Sequence, residues 1–386
     1  MIENTVNPKK LPPLLSAAAC NLDKDLLTAC LPLLEESRIE AIEWSFDVLY
    51  GVQEIPSWFP DLLTAFSTQK RLIGHGVFFS LFSGKWLPGQ EAWLKHLKQT
   101  CRDFQFDHIT EHFGFMTGRD FHQGAPLNIP YTSTTLHIGQ DRLKRIYEAC
   151  HCPVGLENLA FSYSLEEVKR HGDFLNKLLE PVNGFLILDL HNLYCQLHNF
   201  SLGFEEIIAL YPLEKVREIH ISGGSWDQPQ TDPTRNIRRD THDNGVPPEV
   251  FALLHNTIDR CPNLKYVVLE QLGTALTTEE SRAIFYNDFL QLETIVQQKN
   301  NHRSAELYNS FLPAAPIIPG PIAEDETLHR QQQELSAILE SAASCKEAID
   351  RLHQSSLAHS GWLTEQWDPC MVETAMRIAQ KWKKGW

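Results

Sequence analysis

The chain has 386 residues, 42% hydrophobic and 22% charged, enough apolar material for one large barrel with an appendage or for about two or three ordinary domains. Its 34 Lys and Arg stand against 49 Asp and Glu, a net charge of −15, which argues against a protein built to grip phosphate backbones. No apolar run approaches the roughly 20 residues of a membrane span, and Met1–Lys10 lacks the hydrophobic stretch and cleavage pattern of a secretory signal. The nine cysteines (Cys20, Cys30, Cys101, Cys150, Cys152, Cys195, Cys261, Cys345 and Cys370) are scattered, with no C-x-x-C. That spacing speaks against a disulfide framework or a zinc knuckle and suits a reducing cytoplasm.

In chain order, short β-branched runs alternate with longer stretches of helical spacing. Strands are predicted at Leu14–Cys20, Ile39–Trp44, Arg71–Phe79, His108–Glu111, Val154–Glu157, Gly184–Leu190, Val216–Ile221 and Lys265–Glu270. Helices are predicted between them, at Glu91–Asp103, Thr132–Cys150, Leu165–Leu179 and Pro247–Arg260 among others, with Asp23 and Ser162 or Ser164 as caps. Eight strands each followed by a helix is the count of a (β/α)8 barrel, over residues 1–298; a doubly wound open sheet is the alternative. Residues 299–321, with four prolines and a glycine in Leu312–Pro321, read as a semi-rigid linker. Residues 322–386 read as a small helical unit. Leu328, Leu335, Ile338 and Leu339 share one face, and Val372, Ala375, Met376, Ala379 and Trp382 another, in a helix started by Asp368-Pro369. Trp362, Trp367, Trp382 and Trp386 crowd into its last 25 residues. The preferred reading is that they pack the unit onto the barrel, with a partner-binding surface as the alternative.

Chemistry in such a barrel sits where strands end and βα loops begin. Here six consecutive strands end in an acid or an imidazole: His75, then Glu111-His112, Glu157-Asn158, Asp189 with His191-Asn192, Glu218 and His220, and Glu270. A loop after the seventh strand adds Asp240-Thr241-His242-Asp243. Each follows an apolar run, so the acids are expected to be buried together, which is costly without positive charge. Arg238 and Arg239 are the cations nearby in sequence, too few for four or more acids. A cluster of metal ions answers the need, and oxygen and imidazole donors without thiolate suit iron, manganese or zinc. One carboxylate can bridge two such ions about 3.5–4 Å apart. His191 is expected to stand behind the ligands. His96, His137, His171 and His255 are assigned surface or packing roles, and nothing orients a base towards Cys195.

The ordered set GHGVFFSLFSG (74–84), TEHFGF (110–115), GLENLAF (155–161), LDLHN (188–192), EIHISG (218–223), DTHDNGV (240–246) and VLEQ (268–271) resembles the multinuclear non-haem iron-dependent oxidases, domain of unknown function 692, which include the methanobactin-maturation oxygenase. That resemblance implies a xylose-isomerase-like (β/α)8 barrel with two or three irons of mixed Fe(II)/Fe(III) state. It places one iron on His75, His112 and Glu157, a second on Glu157, Asp189, His220 and Glu270, and a third position at Asn192, Asp240 and His242. Glu157, His220 and Asp240 are assigned to catalysis. The implied reaction is O2-dependent oxidation of a ribosomally made peptide, often at cysteine, brought by a separate presenting protein. The C-terminal unit has no counterpart in the family's minimal barrel, and its proline linker and tryptophan-rich end point to residues 322–386 as taking over part of that presentation. No nucleic acid or membrane partner is expected. The chain departs from the family pattern at Ala19-Cys20-Asn21, at Glu43-Trp44-Ser45-Phe46-Asp47 and at Gln271-Leu272. From the residues alone, a metal-dependent sugar isomerase or epimerase or a phosphodiesterase on the same barrel is the alternative enzyme, and a scaffold with a degenerate site the alternative outside enzymes.

Overall fold

The computed structural model describes residues 13–52, 54–116, 126–301, 303 and 309–383; the Met1–Lys10 stretch and Trp386 lie outside them. All eight apolar runs form strands: β1 (Leu15–Ala19), β2 (Ala41–Trp44), β3 (Leu72–Gly76), β4 (His108–Glu111), β5 (Val154–Glu157), β6 (Phe185–Asp189), β7 (Val216–Ile221) and β8 (Tyr266–Leu269). They are parallel, each lies beside its sequence neighbours, and β1 closes the ring against β8 in the register Leu15↔Tyr266 to Ala18↔Leu269. A closed barrel replaces the open-sheet alternative. The third run stops at Gly76 rather than Phe79, because the Val77 and Phe78 amides leave the ladder and donate to the Asp47 carboxylate.

The helices α1 (Lys24–Glu35), α2 (Trp58–Ser67), α3 (Pro88–Asp103), α4 (Ser133–Cys150), α5 (Leu165–Leu179), α6 (Leu190–Asn199), α7 (Phe204–Ile208), α8 (Pro248–Thr257) and α9 (Glu279–Asn300) follow the strands. Asp23 caps α1 by accepting from the Asp25 and Leu26 amides, and Ser164, not Ser162, caps α5. The main core lies between strands and helices. A smaller cluster of Leu15, Ala17, Ala41, Ile73, Tyr266 and Val268 is drawn from four neighbouring strands. Strand alternation makes the next residues of the same rows, such as Glu43 and His75, neighbours in one polar layer.

After α9 the chain forms no regular element from 309 to 325; Phe311 packs on Phe185, and Arg145 donates to the Gly320 carbonyl. Helices α10 (Glu326–Ser341), α11 (Cys345–His353) and α12 (Pro369–Lys383) then settle on the βα-loop side of the barrel. Gln332 bonds the Gly84 amide and Phe82 carbonyl in the β3–α3 loop, the Trp362 ring lies 6.0 Å from that of Phe115 in the β4–α4 loop, and Trp367 stacks on Tyr163 of the β5–α5 loop at 3.7 Å. Trp362 and Trp367 are buried, while Trp382 stays partly exposed.

Candidate metal centre

The C-terminal ends of the strands bring the expected side chains into one place. His75 (β3), His112 (just past β4) and Glu157 (β5) have ligand atoms within 4.8 Å of one another, and so do Glu157, Asp189 (β6), His220 (β7) and Glu270 (just past β8). Glu157 belongs to both groups. Its Oε2 lies 3.3 Å from His112 Nε2 and 3.6 Å from His75 Nε2, and its Oε1 3.7 Å from His220 Nδ1. Glu270 Oε2 lies 3.1 Å from the same His220 nitrogen.

Hydrogen bonds behind the cluster fix which ring atoms face it. Thr110 Oγ1 donates to the Gly74 carbonyl, so at 2.8 Å it accepts from His75 Nδ1–H, and the His75 Nε2 lone pair faces the cluster, 3.1 Å from His112 Nε2. His220 Nε2 lies 3.1 Å from Glu43 and 3.3 Å from Glu218, which turns Nδ1 towards Glu157 and Glu270. These buried acids hold the histidine from below, in the carboxylate–histidine arrangement that orients metal ligands. Asp189 caps α6, accepting from the Asn192 amide at 2.5 Å through Oδ1.

The electrostatics are those of acids short of positive charge. Burial alone would raise Glu157, but hydrogen bonds to His112 and His220 outweigh it and hold the carboxyl below its ordinary value. Burial, aided by Asp240, pushes Asp189 up. Burial would lower His220, yet Glu270 and Glu43 drive it well above an ordinary imidazole. His75 falls to about 4, through burial and the neighbouring His112. Arg238 and Arg239 do not relieve the shortage: Arg238 donates to His191 Nε2 and Arg239 pairs with Asp227.

Metal ions fit this donor set. Asp189 Oδ2, Asn192 Oδ1 and His112 Nδ1 are buried without a hydrogen-bond partner, while His220 Nδ1 and His242 Nε2 meet only carboxylates of the same cluster, Glu270 at 3.1 Å and Asp240 at 3.0 Å; all but His112 Nδ1 belong to a ligand set expected from the sequence. Neither ligand group contains a thiol, which favours hard or borderline divalent ions. Asp240 and His242 stand at the rim, about a quarter exposed, with His242 Nε2 3.0 Å from Asp240 Oδ1 and 4.0 Å from Glu270 Oε2. The Asn192 side-chain Nδ2 donates to the Asn158 backbone carbonyl. His191 stands behind Asp240 and is joined to it at 2.9 Å.

Sequence reasoning gave no role to Glu43 and Glu218, which with His220 form a third group of converging ligand atoms. The spacing of Glu218 and His220, two residues apart on one strand and hence on one side, was the available signal. His171 is buried, donates nothing to the site and accepts from the Leu159 amide. Cys195 is buried, and that burial pushes its thiol up.

The family model described as RiPP precursor modification enzyme MbnB/TglH/ChrH matches residues 53–277. The chain belongs to this family. The matched span carries every expected ligand from His75 to Glu270, whereas Glu43 and α10–α12 lie outside it. Within the MbnB/TglH/ChrH family, the converging groups mark the chain as a metal-dependent oxidoreductase. Its relatives include a UPF0276 protein of Acaryochloris marina, 26% identical over 215 residues covering 55% of this chain and 70% of that protein. Another, from Alcanivorax borkumensis, is 26% identical over 208 residues, or 52% and 67% of the two chains. Among solved structures, an L-ribulose 3-epimerase aligns at 13% identity and TM-score 0.48 over 75% of this chain and all of that one.

Proposed function

We propose that this protein is a multinuclear non-haem iron oxidase that uses O2 to modify a ribosomally synthesised precursor peptide at cysteine. The observation that carries the reading is Glu157, a single carboxylate shared by two ligand groups inside a family of precursor-modifying enzymes. In this reading His75, His112 and Glu157 hold one iron, Asp189, His220, Glu270 and Glu157 a second, and Asn192, Asp240 and His242 a third. Iron held there, in mixed Fe(II)/Fe(III) states, supplies the redox chemistry that couples O2 to oxidation of the peptide.

The chain's own residues do the rest. Thr110 and the Glu43–Glu218 pair set the ring orientation of His75 and His220, and the walls of the barrel keep water from the inner ligands. The half-open side formed by His112, Asp240 and His242 is where a peptide side chain gains access. Residues 1–298 form the oxidase domain, 299–321 the linker and 322–386 a helical domain at the mouth. The peptide is brought by a separate presenting protein or by that helical domain. The nine cysteines are all free, which supports a reducing cytoplasmic setting.

The test is anaerobic purification, metal analysis, and incubation with a cysteine-containing precursor peptide with and without O2, followed by mass spectrometry. Iron in the chain and an O2-dependent mass change at cysteine are expected. Stoichiometric zinc or manganese with O2-independent turnover of a sugar or phosphodiester would overturn the reading.

A further inference from the structure

Among the described residues, no hydrogen bond or ion pair joins helix α12 to an expected ligand, but the helix grips the loop that carries two of them. Between β7 and α8 the chain makes a hairpin, Trp226–Asp227 paired with Ile237–Arg238, and then runs directly into Asp240 and His242. Glu373 of α12, itself buried, closes the hairpin's tip: Oε1 accepts from the Gln230 amide at 2.9 Å, and Oε2 from the Thr231 amide at 2.9 Å and its hydroxyl at 2.5 Å. Arg235 in the hairpin pairs with Asp368 at 2.7 Å. Ile237 shares a buried cluster with Cys370 and Met371.

The hairpin passes this restraint to the metal rim through Arg238. The Arg238 backbone bonds both ways with the Asn199 side-chain amide, and its guanidinium lies against the Trp226 and Tyr194 rings, 5.0 and 5.5 Å from their centroids. Its Nε–H donates to His191 Nε2 at 3.0 Å. His191 must therefore carry its proton on Nδ1, and donates it to Asp240 Oδ1 at 2.9 Å, where the Ser222 hydroxyl also donates. Packing here is tight: a Cβ on Gly224 would lie 2.1 Å from the Arg239 carbonyl and 2.8 Å from the His191 ring. His242 has φ of 51°, a left-handed conformation that costs a histidine energy and persists only where its surroundings over-determine it.

We propose that α12 is a buttress for the Asp240–His242 metal position, with Glu373, Arg238 and His191 as positioning residues. The inference rests on the multinuclear reading above and deepens it: a helix beyond the family's matched span sets the occupancy of the outermost ion.

Full-length protein, stripped and titrated anaerobically with Fe(II) alone, tests this through the number of ions bound and the affinity of each. Glu373→Ala and Thr231→Val should lose the outermost ion, or bind it at least tenfold more weakly, with the inner ions and their Mössbauer signature unchanged. Thr231→Ser restores the hydroxyl and should restore the ion. Glu334→Ala, which breaks only a contact to Ser356 within the C-terminal unit, should behave as wild type. Should Glu373→Ala not fold, the Thr231 pair decides. The proposal is overturned if Thr231→Val binds iron like wild type, if every ion weakens equally, or if wild type binds no ion beyond two. That last result leaves the Glu157-bridged pair intact. Zinc in place of iron would instead sink the oxidase reading and leave the buttress to be judged by ion count.

Discussion

At the floor of the barrel, Asp107 is ringed by Arg217 at 2.7 Å, Lys265 and His108, and His108 passes a 2.6 Å contact on to Glu218. At the mouth, Glu157 and Glu270 have histidines as their ion-pair partners among the described residues, and Asp189 has none. Both ends bury acids almost completely. The floor carries its own fixed cations, and Asp107 shows the result: burial would raise its carboxyl, but His108, Arg217 and Lys265 hold it far below the ordinary range. The mouth has no such supply, and its acids and imidazoles are shifted in both directions. A fixed cation makes a structural site, whereas its absence leaves room for one that binds.

Substitutions that swap these behaviours would break the contrast. The largest effect is expected from Glu157→Gln, which removes the shared ligand: loss of both inner ions by metal analysis, well beyond the roughly 10–100-fold cost of losing an outer partner. At the floor, Asp107→Asn should leave metal content unchanged and destabilise the fold by about 3 kcal/mol in urea titrations at pH 7, because two cations lose their anion. A carboxyl held low in the folded state lends its stability above its unfolded value of about 4. The gap between Asp107→Asn and wild type should therefore shrink as pH falls below that. A smaller effect is expected from Thr110→Val, which frees His75 Nδ1: about tenfold weaker metal binding with little change in stability.

The barrel was legible because its signals are local. Each strand announced itself as an apolar run, and His75, Glu157, Asp189, His220 and Glu270 could be placed at one mouth because strand ends in this fold share a face. The floor was not legible. That Asp107 of β4's approach meets Lys265 of β8's and Arg217 of β7 depends on ring closure and on the register shift between β6 and β7, which no single segment encodes. The same holds for the C-terminal unit. The spacing of Leu335, Leu339, Val372 and Ala379 shows a face to be buried but not its partner, and only the folded chain puts Glu373 on Gln230 and Thr231. Of the four C-terminal tryptophans, Trp362 and Trp367 pack the unit onto the barrel, where their rings meet Phe115 and Tyr163, whereas Trp382 stays partly exposed and Trp386 lies outside the described residues.

The central claim is that Glu157 joins two metal ions at the mouth of the barrel. Anaerobic Fe(II) reconstitution of the wild-type chain, followed by iron counting and Mössbauer spectroscopy in applied field after partial oxidation, addresses it most directly. At least two irons per chain with magnetic coupling between them is the expected result. A single iron, or several that behave as isolated ions, would contradict it.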